Sequence, residues 1–163
     1  MFRGTEEAKV DDKGRLRLSV DLMKLMAEKE YGPGFFITSR DGKVAEIWPM
    51  QEWEKEEAKK AAISEDDPAK TAWLRVVNYF GAVVEIKQDR LMLPKKIRER
   101  FGLMNADVVV TGQQRYLTVQ SEQDAEREIA GLLAPAEDSG KLMNIAEARQ
   151  ILAKREAPKD YGN

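Results

Sequence analysis

Along residues 6–10 and 15–20 apolar and polar side chains alternate with a period of two, which predicts two short strands around the turn Asp11-Asp12-Lys13-Gly14. That period puts Leu16 and Leu18 on one face and Arg15 and Arg17 on the other. The pattern then becomes helical. Leu22, Met23, Leu25 and Met26 supply an apolar stripe, which "YGPG" at 31–34 ends. "FFITS" and "KVAEIW" follow as a hairpin around Arg40-Asp41-Gly42, so the order is β-β-α-β-β.

Residues 50–63 predict a highly charged helix with Trp53 as its apolar anchor. "SEDDP" stops it, and Asp67 and Pro68 start the next helix as N-cap and first residue. There Trp73, Val76, Val77 and Phe80 are expected on one face. The first order then returns: "AVVEI" and "RLMLP" around "KQD", a short helix "KKIRERF" closed by Gly102, and "DVVVT" with "YLTVQ" around "GQQR". Arg90 falls 75 positions after Arg15, with Leu91 and Leu93 where Leu16 and Leu18 stood. A period this long indicates a tandem duplication rather than a solenoid.

The expected class is α+β, with a first unit over 1–49, a helical linker over 50–80, a second unit over 81–120 and a C-terminal helical extension over 121–163. In the extension, "SEQD" opens one helix in capping-box style and "APAEDSG" at 134–140 is a linker. Asn144 with Glu147 opens a last amphipathic helix carrying Ile145, Ala148, Ile151 and Leu152 on one face, and "APKDYGN" is expected to fray.

Composition narrows the chemistry. Apolar residues at 42% and charged residues at 34% describe a soluble globular chain. It has no apolar run of membrane-spanning length, and its opening lacks the apolar core of a signal peptide, so a cytoplasmic location is expected. There is no cysteine and no histidine, which removes disulfides, thiolate chemistry, the commonest metal ligand and the usual neutral-pH acid–base group. Without a phosphate-cradling loop or nucleophile elbow, the motifs argue against an enzyme, a cofactor, a metal or a small-molecule substrate. The net charge of −2 hides an uneven distribution. Residues 83–100 carry six cations against three anions, 51–68 seven anions against three lysines, and 121–138 six anions against Arg127 alone. Positive charge gathers beside the two β-turns.

The opening "MFRG", the turn "DDKGRL", "WPMQEWE" at 48–54 and "KQDRLMLPKKIRERFGL" resemble the MraZ family over roughly residues 1–120. That family is the two-repeat branch of the AbrB/SpoVT swapped-hairpin, double-split β-barrel superfamily. The resemblance implies a cytoplasmic, nucleoid-associated transcription regulator, usually a repressor of its own division and cell-wall gene cluster. It implies a ring-shaped homo-oligomer that binds double-stranded DNA at short direct repeats in the promoter. The family signature D-x-x-x-R carries over in the first unit as Asp11 and Arg15, with Gly14 between them. In the second unit Arg90 is present, but Ile86 holds the aspartate position and Asp89 the glycine position. The strand-ending proline and helical arginine common in the family are missing from the first unit and present in the second as Pro94 and Arg98. The last helix, at 144–155, has no match in the resemblance.

These residues suit that work. A β-ribbon fits the major groove, about 12 Å wide, where an arginine can fork onto guanine O6 and N7. Arg15 is the expected reader, with Lys13 and Arg17 on phosphates and Arg3 reaching another from a mobile N-terminus. Asp11 is expected to accept hydrogen bonds from turn N–H groups and to orient Arg15, and Gly14 to supply a positive φ. Arg90 and Lys87 are the second turn's candidate contacts. Asp89 puts a negative charge beside them, so this turn is expected to read DNA less well, and restoring Asp at 86 and Gly at 89 to tighten binding. Trp48, Trp53 and Trp73 are read as core or interface packing rather than as base-stacking platforms. Two other readings are an oligomeric structural protein on the same fold with DNA readout partly lost, and an antitoxin, against which the duplication argues.

Overall fold

The computed structural model describes residues 1–135 and 143–156. It divides into two compact units, residues 1–122 and 123–163.

In the first unit, β1 (Thr5–Val10) and β2 (Arg15–Arg17) precede α1 (Val20–Glu28), β3 (Gly34–Thr38) and β4 (Ala45–Pro49). Helices α2 (Met50–Ala61) and α3 (Pro68–Phe80) follow. The order then repeats as β5 (Ala82–Glu85), β6 (Arg90–Met92), α4 (Lys95–Phe101), β7 (Ala106–Gly112) and β8 (Leu117–Ser121). Local signals explain three of the helix ends. Ser19 Oγ accepts the Leu22 N–H at 3.1 Å to start α1, and Asp67 Oδ1 accepts the Ala69 N–H at 2.9 Å ahead of Pro68 to start α3. Gly102, at φ +63°, closes α4 in the left-handed conformation.

The strands form one antiparallel sheet of eight, in the order β5-β3-β4-β8-β7-β1-β2-β6. It curls into a nearly closed barrel whose two edge strands are joined by the tight turn at 86–89. Strand pairing crosses between the two copies. β1 pairs with β7 over its whole length, β3 pairs with β5, β4 with β8, and β2 with β6. The strand pairs expected to flank each first turn open almost at once. β1 meets β2 only at Val10 and Leu16, and β5 leaves β6 for β3. Each copy therefore supplies the other's missing sheet edge within one chain.

The core follows the same rule. Leu16 and Leu91 are register partners, and both are fully buried, as is Leu93, with Leu18 nearly so. α1 adds Leu22 and Met26, and α4 adds Ile97. A second cluster lies under α2 and α3: Trp53 stacks on Phe36 at 4.6 Å and on Trp73 at 5.6 Å, and Trp48 stacks on Tyr116 at 4.2 Å. Trp48 and Trp53 are buried and Trp73 is half-buried, so the tryptophans are packing residues. Val76 departs from its expected face and is exposed, while Val77 and Phe80 are buried.

Charge also fastens this cluster. Arg115, in the β7–β8 turn, donates to Glu52 at 2.8 Å and to Glu56 at 2.6 Å, and Lys55 and Lys59 bind the same two carboxylates. Burial works to raise the Glu56 pKa, but the hydrogen bonds from Lys59 and Arg115 outweigh it and hold the value at about 2.

Helix α5 (Glu122–Leu133) begins at the unit boundary and, from residue 123 on, belongs to the second unit with α6 (Ile145–Glu156). Asn144 caps α6, its Oδ1 accepting the Ala146 N–H at 2.7 Å while its amide nitrogen donates to the Ala134 carbonyl. The linker expected at 134–140 lies, beyond residue 135, outside the described residues, as does the tail from 157.

Candidate nucleic-acid interface

The tight turn after β1 is built by one carboxylate. Asp11 Oδ1 accepts the backbone N–H groups of Lys13 and Arg15, both at 2.9 Å, and Oδ2 accepts Arg15 Nε at 2.8 Å. The Arg15 backbone N–H bond does most to hold the Asp11 carboxyl below the usual carboxylate range, against a smaller opposing effect of partial burial. Gly14 sits at φ +86°, a conformation that favours glycine. The Arg98 side chain also packs closely here: a β-carbon on residue 14 would lie 2.5 Å from its Cδ, so the arginine would have to shift. Arg98 comes from α4 and donates Nη1 to Met104 Sδ at 3.0 Å, so a helix of the second copy buttresses the first copy's turn.

The second turn is built differently. Lys87 and Arg90 exchange backbone hydrogen bonds at 3.0 and 3.1 Å, leaving a two-residue loop of Gln88 and Asp89. The positive φ falls on Gln88 at +61°, one residue before Asp89, the counterpart of Gly14. Ile86 is packed against the core, and its N–H donates to the Pro33 carbonyl at 2.9 Å. The aspartate position of the family signature is therefore half-buried against the core here, and a carboxylate at 86 would face apolar neighbours.

The β2–β6 pair brings the two turns into one site. Arg15 lies opposite Met92 and Arg17 opposite Arg90, all four on the outer face, with Leu16 and Leu91 beneath. Beyond the strands the pairing continues symmetrically: the Leu93 N–H donates to the Gly14 carbonyl at 2.9 Å and the Leu18 N–H to the Asp89 carbonyl at 2.7 Å. The turns thus stand at opposite ends of a short ribbon. Exposed Lys13 sits in the first turn and exposed Lys87 in the second, level with Arg90 and Arg17.

Ion pairs cross the ribbon. Asp11 Oδ2 also accepts Arg90 Nη1 at 3.2 Å, so one carboxylate orients arginines from both copies. Arg17 Nε donates to Asp89 Oδ2 at 3.1 Å, and Arg90 Nε lies 3.7 Å from Asp89 Oδ1. Arg17 is exposed, while Arg15 and Arg90 are half-buried rather than free in solvent. A groove of about 380 Å³ beside the ribbon is lined in part by Asp11, Arg15, Arg17 and Arg90.

Arg3 does not join them. Phe2 is buried, and it exchanges backbone hydrogen bonds with Gln114 at 2.7 and 3.0 Å. The N-terminus is anchored on the β7–β8 turn, not mobile as expected. That turn stands at the far end of β1, roughly 25 Å from Asp11 at about 3.3 Å per residue.

The sequence reading missed the reach of Asp11 to Arg90 and the grip of Asp89 on Arg17. It also missed the Arg115–Glu52–Glu56 cluster. No local signal announces any of these, since the partners stand 79, 72 and about 60 positions apart.

Comparison with known proteins places the chain. The family model described as "MraZ protein, putative antitoxin-like" matches residues 1–76. A protein of Acidobacterium capsulatum named "Transcriptional regulator MraZ" is 50% identical over 124 residues, covering 76% of this chain and 84% of that one. One of the same name from Koribacter versatilis is 37% identical over 146 residues, covering 89% of this chain and 99% of that one. A third of that name, from Haemophilus influenzae, is 27% identical over 133 residues, covering 80% and 86%. Half-identity to a relative matched over most of both chains, with the D-x-x-x-R turn built as described, means that this chain belongs to the MraZ family.

Proposed function

We propose that the chain is a cytoplasmic transcriptional regulator that reads double-stranded DNA with the outer face of the β2–β6 ribbon. The observation that carries this is the sharing of Asp11 by Arg15 and Arg90, which holds two forked cations from different copies on one face. Pre-oriented guanidinium groups lose little freedom on meeting a guanine edge, where each good contact is worth about 1–3 kcal/mol of discrimination. Lys13 and Lys87, exposed in the two turns, suit phosphates beside the groove. The names of the relatives support regulation of transcription.

The division into two β-β-α-β-β units with a helical linker and a C-terminal extension accompanies this reading. One ribbon offers few contacts, and a chain of net charge −2 gains little from long-range attraction. Avidity from a ring of subunits on promoter direct repeats would supply the missing affinity, and occupancy there would repress the chain's own gene cluster. The ring is not required by the fold, because the two copies complete one another's sheet inside a single chain. The test is a gel-shift on the duplex upstream of the chain's own gene against a scrambled duplex, with salt varied. Preference for the upstream duplex, lost in Arg15→Ala, is the expected result. Equal binding to both duplexes at every salt concentration overturns the proposal.

A further inference from the structure

The two ends of the ribbon are related by the repeat, and two of the residues that break its symmetry touch. At one end Arg15 faces Met92, and the turn residue is Gly14. At the other, Arg90 faces Arg17, and the turn residue is Asp89. Arg17 is thus the counterpart of Met92, and Asp89 the counterpart of Gly14. Two like charges directly opposite on one face of an antiparallel pair repel one another. Asp89 lies against both: it accepts Arg17 Nε at 3.1 Å, and its other oxygen is 3.7 Å from Arg90 Nε. A carboxylate stands in the turn where the ribbon carries two facing arginines, and a glycine where it carries one.

The turn backbone is tied down as well. The Asp89 carbonyl accepts the Leu18 N–H at 2.7 Å, which ties the turn backbone to the end of β2, and Leu18 is buried. The same residue therefore fixes β2 through its backbone and Arg17 through its side chain. Arg17 has no other ion-pair partner among the described residues, whereas Arg90 is also held by Asp11.

From this we infer that Asp89 is a positioning residue that makes Arg17 a second base-reading arginine beside Arg90, rather than a blemish on the second turn. The inference rests on the DNA-reading proposal and deepens it. Asp89 repels phosphate in general, yet it aims a guanidinium that would otherwise swing away from Arg90. Removing the charge should therefore help non-specific binding and harm sequence discrimination, effects of opposite sign that simple electrostatics would not produce.

The experiment uses the full chain and two labelled duplexes, the one upstream of its own gene and a scramble of equal composition. Wild type, Asp89→Asn, Asp89→Glu, Arg17→Ala and the double variant Arg17→Ala/Asp89→Asn are titrated at one salt concentration. Asp89→Asn should bind the scramble as well as wild type or better, and lose about tenfold in preference for the upstream duplex, the scale of one guanine contact. Asp89→Glu should keep most of the preference. The double variant should lose no more than Arg17→Ala alone, because Asp89 acts through Arg17. In parallel, the Arg17 Nε–Hε signal in NMR should be protected from exchange in wild type and Asp89→Glu but not in Asp89→Asn, which reads the positioning even in a weakened variant.

A selective wild type whose Asp89→Asn variant stays equally or more selective overturns this inference and leaves the DNA-reading proposal standing. Additive losses in the double variant, or an unprotected Arg17 signal in wild type, do the same. A wild type indifferent to the two duplexes overturns both.

Discussion

The side chain of Arg98 fills the space that a β-carbon on Gly14 would need, with Cδ, Nη1 and Cζ all 2.5–2.8 Å from that point. A side chain from a helix of the second copy thus packs on the turn of the first, at a position whose φ of +86° already favours glycine. Gly14→Ala should cost roughly 1–3 kcal/mol in urea denaturation from backbone strain, with the collision added. The same change made in an Arg98→Ala background should cost less, because the collision is gone and only the strain remains. Equal costs in the two backgrounds would show that Arg98 does not press on the turn.

Arg15→Ala should abolish the preference for the upstream duplex while changing stability by no more than about 1 kcal/mol, since its ion pair is partly solvated. Asp11 keeps the Lys13 and Arg15 backbone N–H groups and Arg90 in the variant, so the turn stays closed. Thermal melting and gel-shift on the same preparation separate the two effects. A large fall in melting temperature would make the arginine structural.

Phe2→Ala should destabilise the chain by about 3–5 kcal/mol, the range for a buried phenylalanine. Its ring is buried 5.8 Å from Tyr31, and its backbone is paired with Gln114. Because the site lies at the far end of β1 from the ribbon, variant protein that remains folded at low temperature should bind DNA as wild type does. Urea titration and a cold gel-shift check both halves of the statement.

Acid should loosen the α2 anchor in a defined window. The folded pKa of Glu56 is about 2 against an ordinary 4.5, so its contribution is complete above 4.5 and is lost as pH falls through 2. The full difference corresponds to about 3 kcal/mol at most. Glu52 and Asp11 are also held low, so they act in the same direction. Glu56→Gln should be less stable than wild type at pH 7, and its stability should fall less between pH 4.5 and 2. Parallel stability–pH curves would rule the residue out as a source of acid sensitivity.

What the sequence by itself determined was local. The alternation over 15–18 put leucines in and arginines out, and Asp67-Pro68 and Gly102 mark real helix ends. The "DDKG" turn follows from an aspartate two and four residues ahead of the N–H groups it accepts, and from a glycine at positive φ. These contacts span a few residues, where backbone geometry leaves little choice. The resemblance to MraZ extended the reading to the fold and the family. The tertiary structure alone decided which strands pair, because a strand's hydrogen-bonding edge carries no address and β1 could satisfy it with β2 as well as with β7. That choice put Asp11 on Arg90, Asp89 on Arg17, Arg98 on Gly14 and Phe2 on Gln114. Each of these contacts joins residues more than 70 positions apart. They form only because the second copy of the motif closes on the first, and no local pattern records that closure.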